Sequence, residues 1–200
     1  MIGLLNFFQN LLDKTRAVDF LAPLALRLYL APILIIAGSN KLAHAEYLVP
    51  YFESLGIPAP ELMVYVAALT ELIGGIGLLA GFAVRWVALP LMFTMAVAAT
   101  TAHWENGWHA LPETELTMPW EWRTDLIEEG TIRKEKAREI LKEHSNYEWL
   151  TEAGNITILK NGIEFAATYF IMLLALFFMG AGNYFSIDYW IARKWRTSNS

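Results

Sequence analysis

The stretch APLALRLYLAPILIIAG, residues 22–38, decides how this chain is to be read. Its one charge is Arg27, and its apolar side chains follow neither a strand period nor a single helical stripe. A helix that is apolar all round is stable only in apolar surroundings. Three more stretches share the character, at about 61–81, 86–102 and 162–181. Each comes close to the roughly 20 residues that a helix needs to cross about 30 Å of hydrocarbon. Glu71 and Glu164 lie inside these stretches with Arg27, while Lys41, His103 and Asp188 sit at their edges. An ionisable side chain at membrane depth is costly, so it turns to a partner, a cavity or a substrate path.

Composition agrees. A 200-residue chain with 56% hydrophobic and 14% aromatic residues, clustered rather than periodic, points to lipid as its solvent. The chain lacks cysteine, which excludes disulfide chemistry, thiolate nucleophiles, iron–sulfur clusters and covalent c-type haem. His44, His103, His109 and His144 put no pair inside one apolar span, so a bis-histidine haem is not expected either. The spacing of His103 and His109 is poor for shared metal ligation, and no metal site is expected. The net charge of −5 belongs to residues 103–161, where twelve Asp and Glu face seven Lys and Arg. An acidity confined to one loop gives no reason to expect nucleic acid as a partner.

The sequence therefore predicts an all-α fold, an integral membrane four-helix bundle forming a single domain over 1–200. Its spans fall at about 22–38, 61–81, 86–102 and 162–181. Ile2, Leu5, Phe8 and Leu12 recur at helical spacing, which predicts an interfacial amphipathic helix over 1–16 rather than a cleaved signal peptide. Residues 39–60 read as a connector with a short surface helix between His44 and Leu55. Gly74, Gly75 and Gly77 read as packing residues, and Gly77 with Gly81 has the spacing of a close helix contact. Residues 103–161 form an extended acidic loop with tryptophans suited to the interface. Within it, Glu128 to His144 predicts a charged helix that packs through Ile132, Ile140 and Leu141. Lys14, Arg16, Arg85, Arg193, Lys194 and Arg196 gather on one side, which puts both termini in the cytoplasm and the loop 103–161 outside.

These depths sort the charges into two layers. The outer one holds Lys41, His103, Asn161 and Glu164; the inner one holds Arg27, Glu71 and, at the surface, Asp188. Opposite charges that pair offset part of each other's desolvation, and a carboxylate beside a cation exchanges protons at an adjustable pKa. Arg27, Glu71 and Glu164 are the candidate catalytic residues; Lys41, His103, Asn161 and Asp188 are the candidate substrate-binding ones. A buried pair that only fixes helix register is the alternative for Arg27 with Glu71.

Leu26-Arg27-Leu28 and Ala37-Gly-Ser-Asn-Lys41-Leu42 resemble the opening of DoxX-like membrane proteins. Glu71-Leu-Ile-Gly-Gly75, Gly81-Phe-Ala-Val-Arg85, Asn161-Gly-Ile-Glu164, and Gly180-Ala-Gly182 with Ser186-Ile-Asp188 resemble later blocks of that family. The resemblance implies a four-span protein of the bacterial cytoplasmic membrane, linked to a thiosulfate:quinone oxidoreductase and to redox or sulfur-oxidising partner subunits. It carries Arg27, Lys41, Glu71, Glu164 and Asp188 over as site positions, and allows a quinone as the bound small molecule. The insertion at 103–161 departs from the short connector of simpler members and is a candidate docking surface. Three functions stay open: a membrane subunit of an oxidoreductase or redox-linked system; a non-catalytic assembly or anchoring subunit, including one of a modified-peptide or copper-related system; and a small-ion transporter. The last would need a homo-oligomer, because four spans rarely enclose a path.

Overall fold

The computed structural model describes residues 2–111 and 116–198, and among them all regular structure is helical. Nine α-helices follow in order among the described residues: α1 Ile2–Lys14, α2 Leu21–Ala43, α3 Ala45–Ser54, α4 Pro60–Ala80, α5 Val84–Val97, α6 Asp125–His144, α7 Tyr147–Thr151, α8 Glu164–Met179 and α9 Ile187–Ser198. They form two compact units, one of Met1–Thr94 with Tyr169–Ser200, the other of Met95–Thr168.

Three helical stretches, Leu21–Ala43, Pro60–Ala80 and Val84–Asn106, are long and apolar enough to cross a membrane. The apolar helix α8 has 16 residues. That makes it about 24 Å long, less than a 30 Å hydrocarbon core. Helix α2 does not stop at Gly38 but continues to Ala43, so Lys41 lies in its last turn and not in a connector. The expected surface helix between His44 and Leu55 is α3. In α1, Leu4, Phe7, Phe8, Leu11 and Leu12 are exposed. The side chains of Ile2 and Leu5 lie outside the described residues.

In the first unit α2 packs closely against α4. A Cβ on Gly38 would stand 2.6 Å from both Ala68 O and Leu72 N, and one on Gly75 would stand 3.0 Å from Ile35 N. Only glycine lets backbones approach this closely, which is how small residues join helices in lipid. The α2–α4 backbone contact thus runs through Gly38 and Gly75, while a Cβ on Gly81 would meet the Arg27 side chain of α2 at 2.5 Å and Ser186 Cβ at 2.6 Å. Gly81 ends α4 in the left-handed region, at φ +67, while Gly77 faces Phe82 and Val87 of its own hairpin. Leu30, Leu34, Val64, Ala68, Leu78 and Leu91 are buried, whereas Ile36, Leu62, Ile73, Phe93 and Ile171 are exposed. An apolar outer surface of this extent has lipid as its natural cover.

The second unit is held by backbone bonds between two segments of irregular chain. Asn161 N donates to Ala110 O at 2.9 Å, Gly162 N to His109 O at 3.0 Å, Ile163 N to Gly107 O at 3.0 Å and Glu164 N to Trp108 O at 2.9 Å. Residues 98–103 form a π-helical turn, in which the Thr101 hydroxyl donates to Val97 O at 2.8 Å. Trp104 stacks on Trp122 with centroids 4.7 Å apart. Helix α6 is charged as expected, but its packing differs in part: of the expected packing residues Leu141 is half-buried, while Ile132 and Ile140 are exposed, and Ile127 is the buried one.

Candidate functional site

At the α2–α4 crossing, Lys41 Nζ lies 2.6 Å from Glu71 Oε2. The Glu71 side chain is 7% exposed and that of Lys41 27%. An inner pair of Arg27 with Glu71 is not formed, and the register explains why. Gly38 lies opposite Ala68 and Leu72, and Gly75 opposite Ala31 and Ile35. Glu71 therefore stands level with the turn around Ala37, about 6 Å along α2 from Lys41 and about 15 Å from Arg27 at 1.5 Å per residue. Helical side chains lean toward the N-terminus of their helix, so Lys41 leans back to Glu71 while Arg27 leans away from it.

Arg27 is instead clamped by main-chain oxygens. Its Nε donates to Leu78 O at 2.7 Å, Nη1 to Ala181 O at 2.7 Å and to Phe185 O at 3.1 Å, and Nη2 to Leu79 O at 3.0 Å. Leu78 and Leu79 lie in the last turn of α4, whose final carbonyls have no acceptor role inside the helix. A fully buried guanidinium ties these carbonyls to the chain that follows α8. Asp188 completes the same end: Oδ1 accepts from Ala83 N at 2.7 Å and Oδ2 from Val84 N at 3.0 Å, capping the start of α5. Arg85 Nη2 donates to Phe178 O at 3.0 Å, near the end of α8. Arg27, Asp188 and Arg85 all saturate helix ends.

In the second unit, His103 Nδ1 is 2.9 Å from Asn161 O, and Glu164 Oε2 accepts from Ala110 N at 2.9 Å. His103 and Asn161 meet, though through the Asn161 carbonyl and not its amide. Asn161 holds φ +62, a left-handed conformation that asparagine tolerates better than most residues. The central group of this unit is one that the sequence reading passed over. Glu121 Oε2 lies 2.7 Å from Lys160 Nζ, with side-chain exposures of 0% and 7%. It also accepts from the backbone N–H groups of Trp108, His109 and Arg123. Burial alone would push the Glu121 carboxyl up. The Lys160 ammonium and the three N–H groups outweigh that and hold it at about 2, below an ordinary 4.5. Twelve acidic residues in one loop hid which of them is buried. The available signal was the run Lys160-Asn161-Gly162, which follows fifteen non-basic residues, 145–159, and offers a single cation to a carboxylate-rich segment. Among the described residues there is no cluster of three or more His, Asp or Glu placed to hold a metal ion.

Residues 22–104 match the family model described as DoxX. The DoxX resemblance thus stands over the stretch that holds Arg27, Lys41, Glu71, Arg85 and His103; Asn161, Glu164 and Asp188 lie beyond it. No curated protein and no solved structure matches the chain. The match and the three membrane-capable helices mark a membrane protein.

Proposed function

We propose that this chain is a multi-pass subunit of a redox-linked membrane system, with the Lys41–Glu71 pair as its contact for a quinone-like small molecule. The observation that carries this reading is the pair itself: a carboxylate buried beside an ammonium that is still partly open, 2.6 Å apart. Reduction of a quinone to a quinol takes up two electrons and two protons. A paired carboxylate and ammonium can hand a proton to one carbonyl oxygen and hydrogen-bond the other. Electrons come from a partner subunit in this scheme, since the chain contains no cysteine for a cluster. Arg27, with four carbonyl bonds, holds the helices and does not act on a ligand. Glu164 is the start of a fourth span in this reading, with α8 crossing a locally thinned bilayer. Helix α1 lies along the membrane face, and both termini are on the cytoplasmic side of a bacterial inner membrane.

The test is Glu71→Gln in the full chain, purified in mild detergent and extracted for quinone, with turnover measured in native membranes. Gln keeps the shape and hydrogen-bonding capacity but removes the proton carrier. Loss of quinone-linked turnover with the protein still folded and assembled supports the reading. Unchanged quinone content and turnover overturn it. The alternative is an assembly subunit, favoured by Ile132, Ile140 and Trp149 standing exposed in the loop 103–161. Under it, Glu71→Gln changes stability alone.

A further inference from the structure

A second place in the first unit combines a cation, a cavity and aromatic walls. Where the α4–α5 hairpin, the end of α8 and α9 come together, a cleft of about 390 Å³ opens. That falls within the roughly 300–1,000 Å³ range of small-ligand sites. Its lining includes Arg85, Trp86, Asp188, Ile191 and Trp195. Trp86 is 77% exposed and Trp195 68% exposed.

We propose that this cleft binds the headgroup of an anionic glycerophospholipid, with Arg85 on the phosphodiester and Trp86 and Trp195 flanking the start of the acyl chains. The charges face the right way. Asp188 is the one acidic lining residue, and both its oxygens are committed to Ala83 N and Val84 N, so its charge is answered by the start of α5. Arg85 gives one hydrogen bond to Phe178 O, out of the five N–H donors of a guanidinium. Planar guanidinium groups take phosphate oxygens two at a time. Helix α9 adds Arg193, which lies 5.4 Å over the Trp190 ring, and Lys194.

Location selects a lipid over a free phosphate. Arg85 and Trp86 are in the first turn of a membrane-capable stretch that begins at Val84, the level at which headgroups lie. Ile191, Ala192 and the two tryptophans give the cleft apolar walls, which a soluble phosphate has no means to use. Basic residues beside a span meet anionic headgroups by simple electrostatics, and the cleft turns that attraction into a fitted site.

The experiment is native mass spectrometry of the full chain in mild detergent, titrated with phosphatidylglycerol, with phosphatidylcholine, and with free glycerol 3-phosphate as competitor. The expected result is saturable phosphatidylglycerol binding, about tenfold or more tighter than phosphatidylcholine. Arg85→Gln and Trp195→Ala should each weaken it by about fivefold or more, and the double variant Arg193→Gln/Lys194→Gln by less than about twofold. Trp195→Ala touches no helix cap, so it reads the site even where Arg85→Gln fails to fold. Equal binding of the two lipids overturns the proposal. So does displacement by glycerol 3-phosphate, which would make the cleft a free-phosphate site, or a loss confined to the Arg193/Lys194 variant, which would make the attraction diffuse.

Discussion

Lys41→Met, Arg27→Met and Glu71→Met, combined pairwise, test which cation answers Glu71. Removing one partner of a buried ion pair costs about 3–5 kcal/mol, because the other charge stays desolvated. Lys41 is 27% exposed, so water reaches the pair and lowers the expected cost of Lys41→Met to about 2 kcal/mol. Replacing both partners by apolar groups of similar volume is often neutral or stabilising. Lys41→Met/Glu71→Met should therefore recover most of what either single change loses, a coupling of about 2 kcal/mol. Arg27 lies about 15 Å along α2 from the level of Glu71, beyond the 7–10 Å over which mutational effects usually couple. Arg27→Met should be the most damaging single change, since it removes the guanidinium donor from four carbonyls, of which Leu78 O keeps a second donor in Gly81 N, yet its effect should add to that of Glu71→Met within about 0.5 kcal/mol. The assay is reversible unfolding in mixed micelles, followed by far-UV circular dichroism, for all four corners of both cycles. Coupling of Arg27 with Glu71 above about 1 kcal/mol, or none between Lys41 and Glu71, would refute the register argument.

Two further outcomes follow from the same geometry. Glu121 is held at about 2 against an ordinary 4.5, so its folded-state pKa is depressed. Its contribution is fully present above about 4.5 and is lost as pH falls toward 2, at most about 3 kcal/mol and less with solvent screening; amide protection factors at residues 107–110, taken relative to the intrinsic exchange rate at each pH, should fall across that window, and Glu121→Gln should flatten the response. Gly38→Ala places a Cβ 2.6 Å from backbone atoms of α4, whereas Gly56→Ala meets nothing within 4 Å and bears only the strain of φ +70. Gly38→Ala should lower the unfolding midpoint well beyond the roughly 1 kcal/mol expected of Gly56→Ala, and equal effects would deny the close crossing.

The all-helical class and three membrane-capable stretches were legible because they rest on bulk properties of the sequence: apolar runs of the right length, bounded by proline and glycine. Pro60 opens α4 and Gly81 closes it for local reasons that any reader of the chain can find. The partners of the charges were not legible in the same way. Pairing Arg27 with Glu71 assumed that opposite side chains seek each other. That overlooked the main chain as an acceptor, although the last carbonyls of every helix need donors. The end of α2 was also misplaced, since Gly38 looks like a stop signal until its neighbours are known; there it is a contact residue, and the helix runs on to Ala43. In the loop 103–161, burial and not composition singles out Glu121, and burial depends on where chain segments 107–110 and 160–164 meet.

The number of bonds that each intramembrane charge already makes separates structural charges from one that can act. Arg27 makes four hydrogen bonds to fixed carbonyls and is fully buried, so any ligand that engaged it would first have to open two helix ends. Asp188 is similarly committed, with each oxygen on a backbone N–H. Lys41 makes one bond out of the three an ammonium offers, to an acceptor that can itself take up a proton, and it retains a path to the surroundings. Exchanging that bond for one to a ligand costs a single side-chain rearrangement in the last turn of α2 and leaves the α2–α4 crossing at Gly38 and Gly75 intact. The clamps at one end of the unit thus keep the helices in register while the pair near the other end is left with freedom to change partners, which is the division of labour that the contact site proposed above would require.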